Sequence, residues 1–284
     1  MKKICLLLFL SVTVVFVKAQ VIKVISPADL VKGDACDEMK YRINYIFKFV
    51  DDTTKTPYKP NKEDMLLEIG SKVTSFYSFV AYQSDSINAK AMENGTYDYV
   101  VDGIITWRLY KNYPETDKYT YLEKFGMDRF AAIETLETPS WTLCPDSIST
   151  ILGYTCHLAT ATYKGRNWSA WYTEDIPISE GPWLLYGLPG LILKAYDSEK
   201  QFEFEANGMK QITDSTPIYY KGAKYESIDW ETMQGVYKRY YADPVGYITA
   251  NPKIRSINIQ DATGNKLANP KSVPYNLLDR SNIK

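Results

Sequence analysis

Hydrophobic and polar side chains alternate along much of the chain with the period of two that is typical of half-buried β-strands. The clearest stretch, residues 41–49, has mostly polar neighbours between the alternating side chains of Tyr41, Ile43, Tyr45, Phe47 and Phe49. Comparable stretches occur at residues 72–82, 104–113, 119–125, 129–136, 154–164, 167–173, 190–197 and 201–208. Short turn-like pieces such as Gly165-Arg166 separate the last of them, which predicts consecutive antiparallel strands in a meander.

Two segments with helical periodicity interrupt these strands. The first covers residues 84–94 and the second covers residues 229–241, where Asp229 is a candidate N-cap. The second segment places five apolar side chains near one face: Trp230, Met233, Val236, Tyr237 and Tyr240. We expect this stripe to pack on the sheet, and a surface for a partner protein is the alternative.

The predicted fold class is therefore mainly β: an antiparallel meander sheet with one or two short helices. Aromatic residues make up 14% of the chain, a composition that suits pleated, half-buried strands. The tail after residue 251 has one clear strand candidate, residues 254–259, and its prolines predict an irregular end. No linker divides the chain, so we expect residues 20–284 to form one mostly β domain.

The N-terminus has the order of a secretory signal peptide. Lys2 and Lys3 precede an apolar run at residues 4–17, and Val17 and Ala19 then occupy the −3 and −1 positions of a cleavage site. The run is shorter than the roughly 20 residues of a membrane span, although a retained anchor is the alternative. We expect residues 1–19 to be removed and the mature chain, without a transmembrane segment, to lie in the periplasm, at the outer-membrane periphery or outside the cell.

Charge limits the possible partners of the mature chain, and cysteine content limits its possible disulfides. Removing Lys2, Lys3 and Lys18 from the 33 basic residues leaves 30 against 34 acidic residues, so we expect no nucleic-acid partner. Three cysteines remain, and an odd number cannot all pair within one chain. They are Cys36, Cys144 and Cys156. The last two could close a hairpin-sized loop in an oxidising compartment, and three buried thiols are the alternative.

The sequence contains no recognisable catalytic set, metal site or cofactor motif. His157 is the only histidine, which excludes the common zinc spacings, and a strand would point it away from its neighbour Cys156. Carboxylates are the remaining catalytic option, because paired carboxylates can hydrolyse glycosides. The candidates are Glu174, Asp175 and Glu180, and stabilisation of a turn is the alternative explanation for them.

One segment carries a family resemblance. Residues 153–197 read GYTCHLATATYKGRNWSAWYTEDIPISEGPWLLYGLPGLILKAYD. Residues 187–192 resemble the string that names the GLPGLI family, found in secreted proteins of Bacteroidetes-type bacteria. Three further pieces match the family in the same order: Gly165-Arg166, Ala170-Trp171-Tyr172 and Gly181-Pro182. The resemblance covers about residues 40–210, and the C-terminal extension at 211–284 matches less well. The family has no established activity, so the resemblance implies location and class rather than function.

The same signature is similar to that of envelope half-barrels such as lipoprotein carriers and periplasmic lipid binders. This likeness implies that the meander is a curved, half-barrel-like antiparallel sheet, but it does not fix function. Its structural motif comprises Gly181, Pro182, Gly187, Leu188, Pro189, Gly190, Leu191 and Ile192. Pro189 suits a turn or a strand start, and Gly190 can let another backbone come close. The bulky loop at residues 183–186 either plugs the sheet or lines a ligand cavity, and a plug is the commoner use of apolar side chains.

We therefore expect an exported envelope protein with a binding or structural role and no catalytic, metal or cofactor site. Its partner would be an apolar ligand, a peptide or an envelope protein on the concave sheet face. The candidate binding residues are Trp171, Trp183, Tyr186, Leu188 and Pro189. A carboxylate-dependent hydrolase of envelope polymers is the alternative, and carboxylates that face one groove would favour it.

Overall fold

The computed structural model describes residues 10–16, 33–94, 105–252, 254–261, 268–269 and 271–281. The strands are β1 Leu10–Phe16, β2 Asp34–Glu38, β3 Tyr41–Phe49, β4 Asn61–Ile69, β5 Thr74–Ser78, β6 Arg108–Lys111, β7 Lys118–Phe125, β8 Asp128–Thr135, β9 Thr142–Ile151, β10 Tyr154–Tyr163, β11 Arg166–Thr173, β12 Leu191–Asp197, β13 Phe202–Gln211, β14 Pro217–Tyr220, β15 Glu226–Ile228 and β16 Ile254–Asp261. The helices are α1 Phe79–Glu93, α2 Trp230–Ala242 and α3 Pro244–Thr249. Within the described residues, no helix combines the length and the apolarity needed to cross a membrane.

Twelve strands form one open sheet in the order β15–β8–β7–β6–β5–β4–β3–β13–β12–β11–β10–β9. Strands β3 to β8 form one meander and β9 to β13 form a second, and the long antiparallel pair of β3 with β13 joins them. Only the short pair of β15 with β8 is parallel in this sheet. The prediction of a mainly β fold built from antiparallel meanders with few short helices is confirmed.

The connection from β8 to β9 requires the sheet to curve. These strands are the second and the twelfth in the order, which is ten inter-strand spacings, or about 48 Å across a flat sheet. Residues 136–141 join them, and seven steps of extended chain reach only about 25 Å. The two ends of the sheet therefore approach each other, and the sheet has a concave face.

The concave face carries the main core. Alternate side chains of the central strands point into it, among them Tyr45 and Phe47 of β3 and Phe204 of β13, which are at most 1% exposed. Phe47 and Phe204 stack with ring centroids 4.4 Å apart. The loop between β11 and β12 and the apolar stripe of α2 belong to the same core.

Most elements lie where the alternation predicts them. The predicted strand at residues 41–49 coincides with β3, and α2 begins after Asp229, whose side chain accepts a hydrogen bond from the Thr232 amide at 2.6 Å. All five residues of the predicted stripe are buried, so this helix face packs on the sheet as expected. The expectation of a strand through residues 72–82 was wrong in its second half. There, α1 begins at Phe79, because the Ser78 hydroxyl accepts hydrogen bonds from the backbone amides of Val80 and Ala81, as an N-cap does.

A separate two-stranded sheet pairs β1 with β16, two strands that lie far apart in the sequence. Strand β1 lies within the predicted signal peptide and pairs in parallel with β16, which covers the predicted strand at residues 254–259. The predicted cleavage site after Ala19 lies outside the described residues. Removal of residues 1–19, which stays a prediction, would take β1 away from β16.

Candidate functional site

The loop at residues 181–190, here called the plug loop, fills part of the concave face. Trp183, Leu184, Leu185 and Leu188 are each at most 1% exposed and belong to the main core. The Trp183 ring contacts those of Trp168, at a centroid distance of 5.7 Å, and Tyr163. The apolar composition of this loop therefore serves core packing.

A buried ion pair anchors the start of the plug loop across the concave face. The ammonium of Lys111 on β6, which is 1% exposed, binds the Glu180 carboxylate and donates to the Gly181 carbonyl at 3.2 Å. The Thr74 hydroxyl on β5 donates to the other oxygen of Glu180 at 3.0 Å. Both oxygens of the Glu180 carboxylate are therefore bound by side chains of the sheet, and this contact holds the loop in place.

Two glycines of the motif are required by geometry. Gly187 has a φ of +88°, which L-residues rarely adopt, and a Cβ there would lie 2.6 Å from the Thr138 methyl group. A Cβ on Gly190 would overlap the carbonyl group of Thr173. The Thr173 backbone can therefore pass this close to the start of β12 only because residue 190 has no side chain.

A pocket of about 90 Å³ lies between the concave face, α2 and the C-terminal tail at residues 271–281. Half of the residues that line it are aromatic, and Trp183 and Leu184 of the plug loop form part of the wall. The plug loop thus packs the core and also borders a cavity. This volume suits a few water molecules or one small organic group.

Three carboxyl groups line this pocket: Asp51, Glu123 and Asp279. Glu123 on β7 is 3% exposed and accepts hydrogen bonds from the hydroxyl of Thr106, at 2.6 Å, and from that of Tyr237. Burial raises the pKa of Glu123, although these hydrogen bonds oppose the shift. Burial also raises the pKa of Asp51 to about 6.

The C-terminal tail forms one wall of the pocket, and Arg166 holds it in place. The buried Arg166 guanidinium donates to the carbonyls of Leu277, at 2.6 Å, and Leu278, at 3.1 Å. Its charge is balanced by Asp197, 1% exposed, at 2.8 Å. Gly165-Arg166, a short motif that resembles the family pattern, therefore fixes a segment more than 100 residues further along the chain.

Two polar atoms of the wall are poorly satisfied within the protein. The indole N–H of Trp230 is buried and has no hydrogen-bond partner. One carboxylate oxygen of Asp279 is also buried without a hydrogen bond, and its nearest cation is Lys164 at 3.7 Å. An unpaired buried donor or acceptor costs about 1–3 kcal/mol, so these two atoms make the wall less stable than it would be with their partners present.

The structure separates the candidate binding residues. Trp183 lines the pocket, whereas Leu188 lies in the core and Pro189 is exposed. Tyr186 is half-buried, and its carbonyl accepts a hydrogen bond from the Trp141 indole at 2.8 Å. Trp171 lies on the face of β11 opposite to Trp168, outside the pocket.

The other chemically active side chains lie outside the pocket. Glu174 and Asp175 are exposed, and His157 is half-buried with its Nδ1 unpaired. Among the described residues, no group of three or more His, Cys, Asp or Glu is placed to hold a metal ion. Among the described residues Cys36, Cys144 and Cys156 are free. Cys144 and Cys156 do not pair with each other, because the β9–β10 register sets Leu158 opposite Cys144 and Ser149 opposite Cys156.

The pocket residues were missed because they are distant in sequence. Asp51, Glu123 and Asp279 come from a loop, a strand and the tail, and nothing beside them in the sequence marks them among 34 acidic residues. The available signal was indirect: the tail contains the apolar pair Leu277-Leu278, and the predicted helix stripe was expected to cover the sheet.

The fold and the site together define an open, curved β-sheet protein with a plugged concave face and an aromatic, acidic pocket. Residues 159–194, which include the plug loop, match the family Porph_ging, described as a protein of unknown function. No curated protein matches the chain.

The solved structures that this chain resembles have low sequence identity to it and TM-scores below 0.5. PNGF-II in its P21 crystal form is 16% identical with a TM-score of 0.48, and the match covers 72% of this chain and 34% of that chain. For its C2 crystal form the identity is 16% and the TM-score is 0.47, and the match covers 72% of this chain and 33% of that chain. MucB in complex with MucA(peri) is 10% identical with a TM-score of 0.29, covering 65% of this chain and 52% of that one. This chain thus spans about one third of the PNGF-II chain.

Proposed function

We propose that the protein is an exported cell-envelope protein that binds the end group of a larger molecule in the aromatic pocket. The pocket itself carries the proposal. Aromatic residues make up half of its lining, and the carboxyl groups of Asp51, Glu123 and Asp279 share it. Ligand sites are typically apolar concavities with a few polar groups that fix orientation.

Export and family membership belong to the same proposal. The motif at residues 187–192 and the Porph_ging match at residues 159–194 support membership of the GLPGLI family of secreted proteins. The N-terminal charge, apolar run and small residues support cleavage after Ala19. We expect N-terminal sequencing of the exported protein to begin at Gln20, and a sequence that begins at Met1 would contradict this expectation.

Fluorine NMR of the 5-fluorotryptophan-labelled protein tests the binding function. The chain has six Trp residues, of which Trp107, Trp183 and Trp230 line the pocket while Trp141 and Trp171 do not. We would titrate separate mixtures of small cationic, uncharged and anionic compounds. At least one mixture should shift the three pocket signals and leave Trp141 and Trp171 unchanged. If no mixture does so, the pocket is not a binding site.

A pocket-filling variant provides the second arm of this test. Leu277 lines the pocket from a half-buried position in the tail, so Leu277→Trp should occupy the cavity and abolish the shifts. The matched control is Ile133→Trp, an exposed aliphatic position on β8 that does not line the pocket. The control should bind as the wild type does. Equal binding by both variants would place the ligand elsewhere.

A second candidate function is a carboxylate-dependent hydrolase. The observation that favours it is the presence of Asp51 and Glu123, both with raised pKa, in one pocket. Raised carboxyl pKa values are a feature of general acids. Glu123→Gln should then abolish release of soluble sugars from purified envelope polymers while the thermal midpoint stays unchanged. Absence of any release by the wild type would remove this candidate.

A further inference from the structure

We propose that the end group held in the pocket is an organic ammonium ion, such as an amino or trimethylammonium group. This inference rests on the proposed binding function and adds the chemical class of the ligand. It combines two features of the pocket: the sign of the charges that line it and the nature of its walls.

The charges of the pocket are all of one sign. Asp51, Glu123 and Asp279 contribute carboxyl groups, and among the described residues no Lys, Arg or His lines the cavity. The Lys164 ammonium is 3.7 Å from Asp279 but is not part of the wall. Charged groups in a low-dielectric pocket attract an opposite charge more strongly than they would in water. The pocket therefore selects cations over anions.

The walls suit a cation that carries carbon. Trp107 stacks on Tyr121 at a centroid distance of 5.8 Å, and Trp230 meets Tyr121 edge-on at 5.2 Å. At the rim, Tyr241 and Tyr275 stack at 4.8 Å. The faces of these rings are electron-rich and bind ammonium groups, Trp most strongly. A small inorganic cation would instead need several oxygen ligands in a regular shell.

An uncharged ligand would not compensate for the burial of negative charge in this pocket. Burial raises the pKa of both Asp51 and Glu123, which means that the folded protein holds their negative charges at a cost. A hydroxyl group can donate a hydrogen bond to a carboxylate, but it brings no opposite charge. An ammonium ion supplies both, so these two carboxyl groups distinguish the ammonium from a neutral group of the same shape.

The test compares choline with 3,3-dimethyl-1-butanol, in which a carbon atom replaces the nitrogen and removes the charge. At pH 8 we expect choline to shift the fluorine signals of Trp107 and Trp230, and the alcohol to bind at least about tenfold more weakly. Butylammonium and 1-butanol, in which a hydroxyl group replaces the ammonium, form a second matched pair. Equal binding within both pairs would overturn the proposal, and so would preferential binding of acetate or butyrate.

Charge-removing variants complete the test. Glu123→Gln keeps the shape of the side chain and should weaken choline binding at least about fivefold, with Asp51→Asn as the second variant should Glu123→Gln fold poorly. Glu63→Gln is the control, because Glu63 is also buried, at 6% exposure, but does not line the pocket. Unchanged choline binding in both pocket variants would overturn the proposal.

Aromatic variants at the rim separate this inference from the proposed function. Tyr275 and Tyr82 are both 37% exposed, and only Tyr275 lines the pocket. Tyr275→Ala should weaken choline binding, whereas Tyr82→Ala should not. If uncharged compounds shift the pocket signals as strongly as cations do, the ammonium inference fails while the binding function stands. If no compound shifts them, the binding function fails.

Discussion

A single glycine decides how the plug loop enters the sheet. At Gly190 the Thr173 backbone passes so closely that a Cβ would overlap its carbonyl group. Gly190→Ala should therefore lower the free energy of unfolding by about 1–3 kcal/mol through overpacking. Gly208→Ala is the control, because a Cβ there meets nothing within 4 Å. Urea denaturation measures both variants, and equal stability would show that the backbone contact is unimportant.

Also at the residue scale, Asp51 makes stability depend on pH. Burial raises its pKa to about 6, whereas an unfolded Asp titrates near 3.9. Between these values the folded protein keeps a proton that the unfolded chain releases, so the stability contributed by Asp51 is complete below about pH 4 and is lost as the pH rises through 6.

The expected signature is a change in the stability difference between wild type and Asp51→Asn. As the pH rises from 4 to 7, the wild type should lose about 1–2 kcal/mol relative to the variant, a value reduced because Asp51 is partly exposed. Urea denaturation at each pH measures it. Parallel curves for the two proteins would contradict the pKa shift.

At the scale of elements, packing outweighs capping in α2. Met233 is 0% exposed in the main core, so Met233→Ala should cost about 2–5 kcal/mol. Asp229 caps the helix from an exposed position, so Asp229→Ala should lower the thermal midpoint by a smaller amount. Thermal denaturation should rank the two variants in this order. The reverse order would mean that α2 does not depend on the sheet.

At the scale of the whole molecule, the Lys111–Glu180 pair ties the plug loop to the opposite part of the curved sheet. Lys111→Met leaves a buried carboxylate without its partner and should cost about 3–5 kcal/mol. The double variant with Glu180→Gln should recover part of that loss, because the two changes are coupled.

An exposed ion pair between the same residue types is the control for this prediction. Lys48 pairs with Glu203 at 2.6 Å across β3 and β13, where the Lys48 side chain is 46% exposed. Lys48→Met should cost less than about 1 kcal/mol, since solvent screens such pairs. Similar losses in the two single variants would show that Lys111 does not anchor the plug loop.

The sequence alone determined most of the strands and the identity of the covering helix. Alternation with a period of two placed β3, β7, β8 and β10 to β13 within a few residues, because the pattern is local and one face of each strand is buried. The apolar stripe of α2 was equally clear from the sequence pattern. Strands β4 and β9 were missed, because β4 carries a charged, helix-like composition and β9 is mostly exposed, so pairing with their neighbours decides both.

Only the tertiary structure decided the pocket and the plug loop anchor. The pocket combines a loop after β3, strand β7, helix α2 and the tail, which the pairing of β3 with β13 and the curvature of the sheet bring together. The raised pKa values of Asp51 and Glu123 arise from burial beneath these elements. The ion pair of Lys111 with Glu180 depends on strand β6 and the loop between β11 and β12 meeting across the concave space. Local sequence patterns specify which way a side chain points from its own strand, but long-range packing determines what it meets there.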